Sequence, residues 1–534
     1  MSITRSFQSG LTVLLLGLAL SPAAIAAAPA AAPSDGAALI RSYCSGCHFE
    51  HDNFGHDGKF ERINTIRKTP EGWVMTIFRM QQVHGLTLDE DVRQRIVQYL
   101  ADTQGLAPSE ALAGRFALER RPNMQDLGVG TELATMCGRC HSLARPALQR
   151  RDADEWLKLA HTHLGQWPSL EYQASGRDRP WWQIASQELP AKLAKQYPFE
   201  SAAWTEWRAQ PPHDLSGGWI VVAHEPGGRD LAGTAEISRS GATGYAARYS
   251  LHDLDGGAVP GESQAVVYTG FEWRGRAKLG GRDTREVFAA SGDGSQISGR
   301  WFDPEHAEDG GDWSAIRQDA APQLLAVLPR ALRAGTTGIV TVVGTGLAEA
   351  AAMSFGPGIS ARVLSRTPNL VRVELAIAAD AEPGTRTISI GAATGAAAFA
   401  LYRQIDRLDV TPAFGIARLG GGKTAPVTAQ FEATAATKLP NGDFLSLGPV
   451  AVEWSAVPFD ATAQRNDDPK FAGRLDSAGR YHPAVAGPNP QRKFSANNVG
   501  NLAILARLGD GEHALEGRAH LIVTVQRWNT PPIY

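Results

Sequence analysis

The spacing of hydrophobic positions changes character once along this chain, near Leu215. From about residue 30 to 205, apolar residues gather on one side of helical segments. Ala37–Tyr43 reads as a short apolar-faced helix with Ser34 or Asp35 as N-cap. Thr131–Met136 repeats it about ninety residues later. Two further segments, Glu71–Met80 and Asp154–His163, each place a Trp near the start of a helix, at Trp73 and Trp156. Val83–Thr103 reads as a turn and then a helix with Val92, Ile96 and Leu100 on one face. Residues 166–211 are rich in Pro and Trp (Trp167, Trp181, Trp182, Trp204, Trp207). So aromatic a stretch predicts a segment packed on the unit before it, not a linker.

Beyond Leu215 the apolar runs are short, rich in β-formers, and separated by Gly- and Asp-rich turns. Gly218–His224, Gly233–Ser238, Gly244–Leu251, Gln264–Gly270, Arg285–Ala290 and Gln296–Phe302 predict an antiparallel meander or barrel over residues 212–320. In residues 321–406, Pro329–Leu347, Val371–Leu375 and Gly384–Ile390 predict a small sandwich that resembles immunoglobulin-like domains. Residues 407–534 form a last β unit, with strands near Val427–Ala433, Val450–Val457 and His520–Trp528. The fold class is therefore multidomain α + β: a helical N-terminal region followed by three antiparallel β domains.

Length and composition add three points. A chain of 534 residues with 43% hydrophobic content has material for several filled cores. Its 56 Gly and 32 Pro agree with a turn-rich β half. A formal charge of −3 offers no basic surface for nucleic acid. Arg5, the apolar run Leu11–Leu20 and Ala24-Ile25-Ala26 read as a secretory leader cleaved after residue 26. No later run is long enough to span a membrane, so the mature protein is expected in the periplasm.

The chemistry is concentrated in two pentapeptides, Cys44-Ser45-Gly46-Cys47-His48 and Cys137-Gly138-Arg139-Cys140-His141. Both read Cys-x-x-Cys-His, the attachment signature of c-type haem, and together they hold all four cysteines of the chain. The thiols bind the haem vinyl groups covalently, and His48 and His141 become proximal ligands of the iron. A zinc site does not need the His that follows each pair, and a dithiol redox pair has no use for it. Each motif is followed by its own Trp-bearing helix, so residues 27–211 read as two tandem cytochrome c-like units, about 30–107 and 108–211. Seven residues after each Trp stand Met80 and His163, the distal-ligand candidates. Alternatives are His84 and Met75 for the first haem and His161 for the second. Met136 reads as packing, Met124 as a remote candidate, and His51 and His56 as solvent-facing.

The tandem motifs, the Trp-to-Met and Trp-to-His spacings, the three following β domains and the Arg527-Trp528-Asn529 end strand together resemble the large dihaem alpha subunit of quinohemoprotein amine dehydrogenase. The resemblance spans the whole chain after the leader. It implies a heterotrimer with a β-propeller subunit and a small subunit that carries cysteine tryptophylquinone. Primary amines would be oxidised on that partner, and electrons would pass through the two haems to a soluble blue-copper protein or cytochrome. No catalytic residue is expected on this chain. A stand-alone dihaem electron shuttle, a dihaem peroxidase and a haem-tethered scaffold are the competing readings.

Overall fold

The computed structural model describes residues 35–49, 60–115, 127–128, 130–138, 141–166, 178–227, 229–347, 352–393, 399–422, 424–511 and 514–525. The leader, His51, His56, Met124, Cys140, Trp167 and Trp528 lie outside the described residues.

The first unit is closed by a helix crossing. The helix Gly36–Cys44 lies against Glu90–Gln104 so tightly that a Cβ on Gly36 would sit 2.3 Å from the Cβ of Tyr99. Between them in sequence runs the first Trp helix, Pro70–His84, begun by Thr69 Oγ1 accepting from the Gly72 N–H at 3.3 Å. It stops at Gly85, whose φ of 72° is the left-handed end that glycine favours. Ile40, Phe60, Trp73, Ile77, Ile96 and Leu100 fill the core.

The second unit repeats the motif helix (Thr131–Cys137) and the Trp helix (Ala153–Gln166) but is closed differently. Trp181, Leu189 and Leu193 of the Trp-rich segment cover Leu133, Met136 and Trp156. Met136 is thus a packing residue. The expectation that the whole Trp-rich segment covers this unit holds for Trp181 and fails for Trp207. Trp207 packs edge-on against Phe271, with centroids 5.6 Å apart, and its indole donates to the Thr269 carbonyl at 2.9 Å. Its apolar ring finds the neighbouring β domain instead.

A two-stranded ribbon joins the units. β1 (Ile66–Lys68) runs antiparallel to β2 (Gln149–Arg151), pairing Ile66 with Arg151, Arg67 with Arg150 and Lys68 with Gln149. Directly paired residues share a face, so Arg67 and Arg150 point one way and Lys68 and Arg151 the other. The first face is locked by buried Glu110. Arg67 grips it through both oxygens, at 2.8 and 2.9 Å, and Arg150 Nε reaches it at 3.1 Å.

Eight strands then close a barrel: β3 (Gly217–His224), β4 (Asp230–Arg239), β5 (Gly244–Asp253), β6 (Ala258–Tyr268), β7 (Glu272–Leu279), β8 (Arg282–Ala290), β9 (Gln296–Phe302) and β10 (Gly310–Arg317). Each pairs with the next, and β10 returns to β3 with Asp312 opposite His224. Trp219, Tyr249, Trp273, Phe288 and Trp313 fill the interior. The sequence pattern predicted six of these strands and missed β7 and β10. The helical region sits on the barrel through Asp102, which accepts from the Thr269 N–H at 2.6 Å, and through an ion pair of Glu71 with Arg274.

Residues 324–401 form a four-stranded and a three-stranded sheet that enclose Val340, Val342, Val373, Phe399 and Leu401. In the last unit the expected run Val427–Ala433 is divided between Ala429–Gln430 and Glu432–Lys438, which belong to different sheets. The final described strand, Leu515–Thr524, pairs with Gly500–Leu508.

Candidate functional site

The first motif follows directly from its helix. The N–H groups of Cys47 and His48 both donate to the Cys44 carbonyl, at 3.1 and 2.9 Å. One turn therefore carries both thiols and the imidazole. Cys44 is half-buried and Cys47 exposed. Burial, with a smaller push from Cys47, raises the Cys44 thiol to about 11. Burial raises the Cys137 thiol equally, to about 11.

Three histidines share one device. Nδ1 of His48 donates to the Glu61 carbonyl at 3.0 Å, that of His141 to the Ser142 carbonyl at 2.9 Å, and that of His163 to the Leu159 carbonyl at 2.8 Å. A carbonyl can only accept, so the ring proton sits on Nδ1 and Nε2 becomes the lone-pair nitrogen. That is the tautomer and orientation a metal-binding imidazole needs.

The structure brings two of these rings together. His141 and His163 have centroids 6.3 Å apart and planes inclined at 46°. A metal held between two imidazoles at about 2.0 Å per bond, with each ring centre about 1 Å behind its nitrogen, sets the centres about 6 Å apart. Their separation is the one two imidazoles would have if both held one metal ion, so His141 and His163 are the residues that would ligate the iron of a haem bound here. His161, two residues before, is exposed and meets Trp182 edge-on at 4.8 Å. Burial lowers the pKa of His163; the positive charges of Arg79, Arg151 and Arg145 add to this, and its bond to Leu159 opposes it. These influences favour the neutral ring.

In the first unit, Met80 is half-buried in the last turn of its helix, where its own carbonyl accepts from the Leu86 N–H at 3.0 Å. Met75 is half-buried one turn earlier, and His84 is exposed.

A model of the haem-binding region of the quinohemoprotein amine dehydrogenase alpha subunit matches residues 34–204. Models of domains II, III and IV of the same subunit match residues 212–318, 321–403 and 408–533. The chain belongs to the quinohemoprotein amine dehydrogenase alpha-subunit family. Residues 34–204 of this alpha subunit are thus a haem-binding domain, and the chain is a subunit of an oxidoreductase complex. No curated protein matches it. Among solved structures, the redesigned β barrel mFAP1 bound to DFHBI is 13% identical, covering 19% of this chain and 94% of its own, with a TM-score of 0.18. Mouse clustered PcdhgC3 EC1-3 is 14% identical over 43% of this chain and 76% of its own, with a TM-score of 0.17. Scores this low carry no argument. No helix among the described residues of this alpha subunit is long and apolar enough to cross a membrane.

Sequence reasoning missed one part of the haem-binding domain. Arg67-Lys68-Thr69 precedes Trp73 at the same spacing as Arg150-Arg151-Asp152 precedes Trp156. The side chains repeat as well as the letters. Lys68 Nζ lies 5.4 Å from the Trp73 ring, and the Arg151 guanidinium lies 5.7 Å from that of Trp156. Extending the tryptophan alignment five residues upstream would have found this pair of cations.

Proposed function

We propose that this chain is the dihaem electron-transfer subunit of a periplasmic quinohemoprotein amine dehydrogenase. It takes electrons from a cysteine tryptophylquinone, reduced by primary amines, on a small partner subunit. It passes them through two covalently attached haems c to a soluble blue-copper protein or cytochrome. Cys44, Cys47, Cys137 and Cys140 attach the haems, and His48 and His141 are the proximal ligands. Met80 completes the first iron and His163 the second. A β-propeller subunit completes the heterotrimer, the leader directs export, and residues 321–406 are an immunoglobulin-like module.

The observation that carries this reading is the pairing of His141 with His163 at 6.3 Å, next to a second copy of the same motif. Haem supplies a one-electron iron couple whose potential depends on its axial ligands and its burial. The chain's own residues do the rest. Carbonyl-anchored imidazoles orient the ligand nitrogens, and the first motif's turn places its two thiols. A β ribbon locked by Glu110 holds the two units in register, which fixes the distance an electron must cross. With all four cysteines in haem motifs, no thiol remains to build a quinone here.

The test is amine addition. The isolated, haem-loaded chain should not be reduced by primary amines. The assembled complex should be reduced, and phenylhydrazine should block that reduction by labelling the small partner. Haem reduction by amine in the isolated chain, or a hydrazine adduct on it, overturns the relay assignment. Alkaline pyridine haemochrome should count two haems per chain, with colour retained after acid-acetone extraction.

A further inference from the structure

The ribbon face opposite Glu110 holds more buried positive charge than the motifs account for. Lys68 and Arg151 lie on that face and are 3% and 4% exposed. Lys68 Nζ donates to Thr76 Oγ1 at 2.6 Å. Arg151 donates to Gln149 Oε1 at 3.0 Å and approaches Glu155 Oε2 at 3.5 Å. Glu155 is itself shared: Lys158 holds its other oxygen at 2.8 Å, and Arg62 stands 4.0 Å away. One buried carboxylate thus contacts three cations and also acts on Lys68, whose own hydrogen bond goes to a neutral hydroxyl and whose ammonium form burial strongly disfavours. Taking cations out of water without matching counter-charge is strongly unfavourable.

A second, independent deficit lies beside the first. Trp156 is 3% exposed, and its indole N–H has no acceptor among the described residues. The repeat-related Trp73 is satisfied, because it donates to the Gln104 carbonyl at 3.2 Å. A buried N–H left unmade costs about 1–3 kcal/mol. Trp156 and His163 are seven residues apart on one helix and so share a face. Arg151, over the Trp156 ring, is also one of the charges that act on His163. Lys68, Arg151 and the indole are all pure donors. One ligand removes both deficits: an anion with several oxygen acceptors, seated alongside the iron-binding imidazole. Haem carries two carboxylates of its own, its propionates.

We propose that Lys68, Arg151 and the Trp156 indole N–H form the carboxylate pocket that receives the propionates of the haem bound between His141 and His163. The inference rests on the reading of the second motif given above. The pocket orients the macrocycle, and its positive charge stabilises the added electron. These are positioning residues that act through the propionates.

The experiment uses the full-length, haem-loaded chain with the variants Trp156→Phe and Lys68→Met. Its readouts are haem count, the propionate-bending band in resonance Raman spectra, and a potentiometric titration of each haem. Both variants should keep two haems. Trp156→Phe, which removes the N–H and keeps an aromatic ring at the position, should shift the propionate band. Lys68→Met should cut the reduced-to-oxidised ratio of the second haem about tenfold at fixed potential, which for one electron is about 59 mV. The first haem should be unmoved in both. Two haems with an unshifted propionate band in Trp156→Phe and an unchanged second potential overturn the pocket and leave the dihaem reading standing. If Lys68→Met fails to fold, the Trp156→Phe band decides alone. A wild-type chain that carries a single haem overturns the second-motif reading, and the pocket with it.

Discussion

The two haem units share one frame and complete it in different ways. In each, a short helix runs into the Cys-x-x-Cys-His sequence, a strand of the shared ribbon follows, and a Trp helix comes after it. A cation lies over each Trp ring. In the first unit the Trp73 indole is answered from within, by the Gln104 carbonyl, and Gly36 lets the closing helix seat directly on the motif helix. The second unit borrows its cover from Trp181–Gln196, leaves the Trp156 indole without an acceptor among the described residues, and brings His163 within 6.3 Å of His141. In the proposed dihaem subunit the duplicated frame would fix where the two haems sit relative to each other, and divergence at a few positions, chiefly Met80 against His163 and Lys68 against Arg151, would give the sites different potentials.

The largest effect that would break this comparison is a ligand swap. His163→Ala should abolish the bis-His low-spin signature of the second haem and leave the first haem's near-infrared Met band in place, while His161→Ala should alter neither. Electron paramagnetic resonance with near-infrared absorption checks this, and loss of the bis-His signal in His161→Ala alone would reverse the assignment.

Glu110 ties the units together, so its removal should affect both. Burial tends to raise its carboxyl, but the hydrogen bonds and charge of Arg67, the Ala107 N–H and Arg150 outweigh that and hold it down at about 2. A carboxylate depressed in the folded state stabilises above its unfolded value of 4.5 and ceases to as pH falls towards about 2. Glu110→Gln should cost about 3–5 kcal/mol at neutral pH by leaving two buried guanidiniums uncompensated. The wild-type advantage should shrink between pH 4.5 and 2. Thermal unfolding followed at the haem Soret band across that range measures both; a deficit that does not vary with pH would show that the carboxylate charge is not what matters.

The smallest effect is confined to one unit. Gly36→Ala forces a methyl into Tyr99 and should destabilise the first unit by about 1–3 kcal/mol. The second unit has no such crossing. Hydrogen exchange should therefore quicken in Gly36–Cys44 and Glu90–Gln104 and stay unchanged in Ala153–Gln166; equal quickening in both would mean the units do not open separately.

Much of this protein was settled by sequence. The two haem motifs, the Trp spacing and the break at Leu215 depend on residues a few positions apart, and local patterns of that kind are written in the chain itself. The observed helices start and stop within a few residues of the expected ones for the same reason: Thr69, Gly85 and the apolar faces act locally. What only the tertiary structure decided depends on residues far apart. β7 carries Gly275 and Ala277 at inward positions, so its alternation is weak in sequence; buried Glu286 occupies that space, within 2.3 Å of where a Gly275 Cβ would stand. β10 is defined by its return to β3, some ninety residues away. His161 and His163 look equivalent in sequence, since both are two-residue neighbours on one helix. The 100° turn per residue sends them to different faces, and packing against Trp182 on one side and His141 on the other separates them. The counter-charges of the ribbon were equally hidden, because Arg67, Glu110 and Arg150 are brought together only by the pairing of β1 with β2.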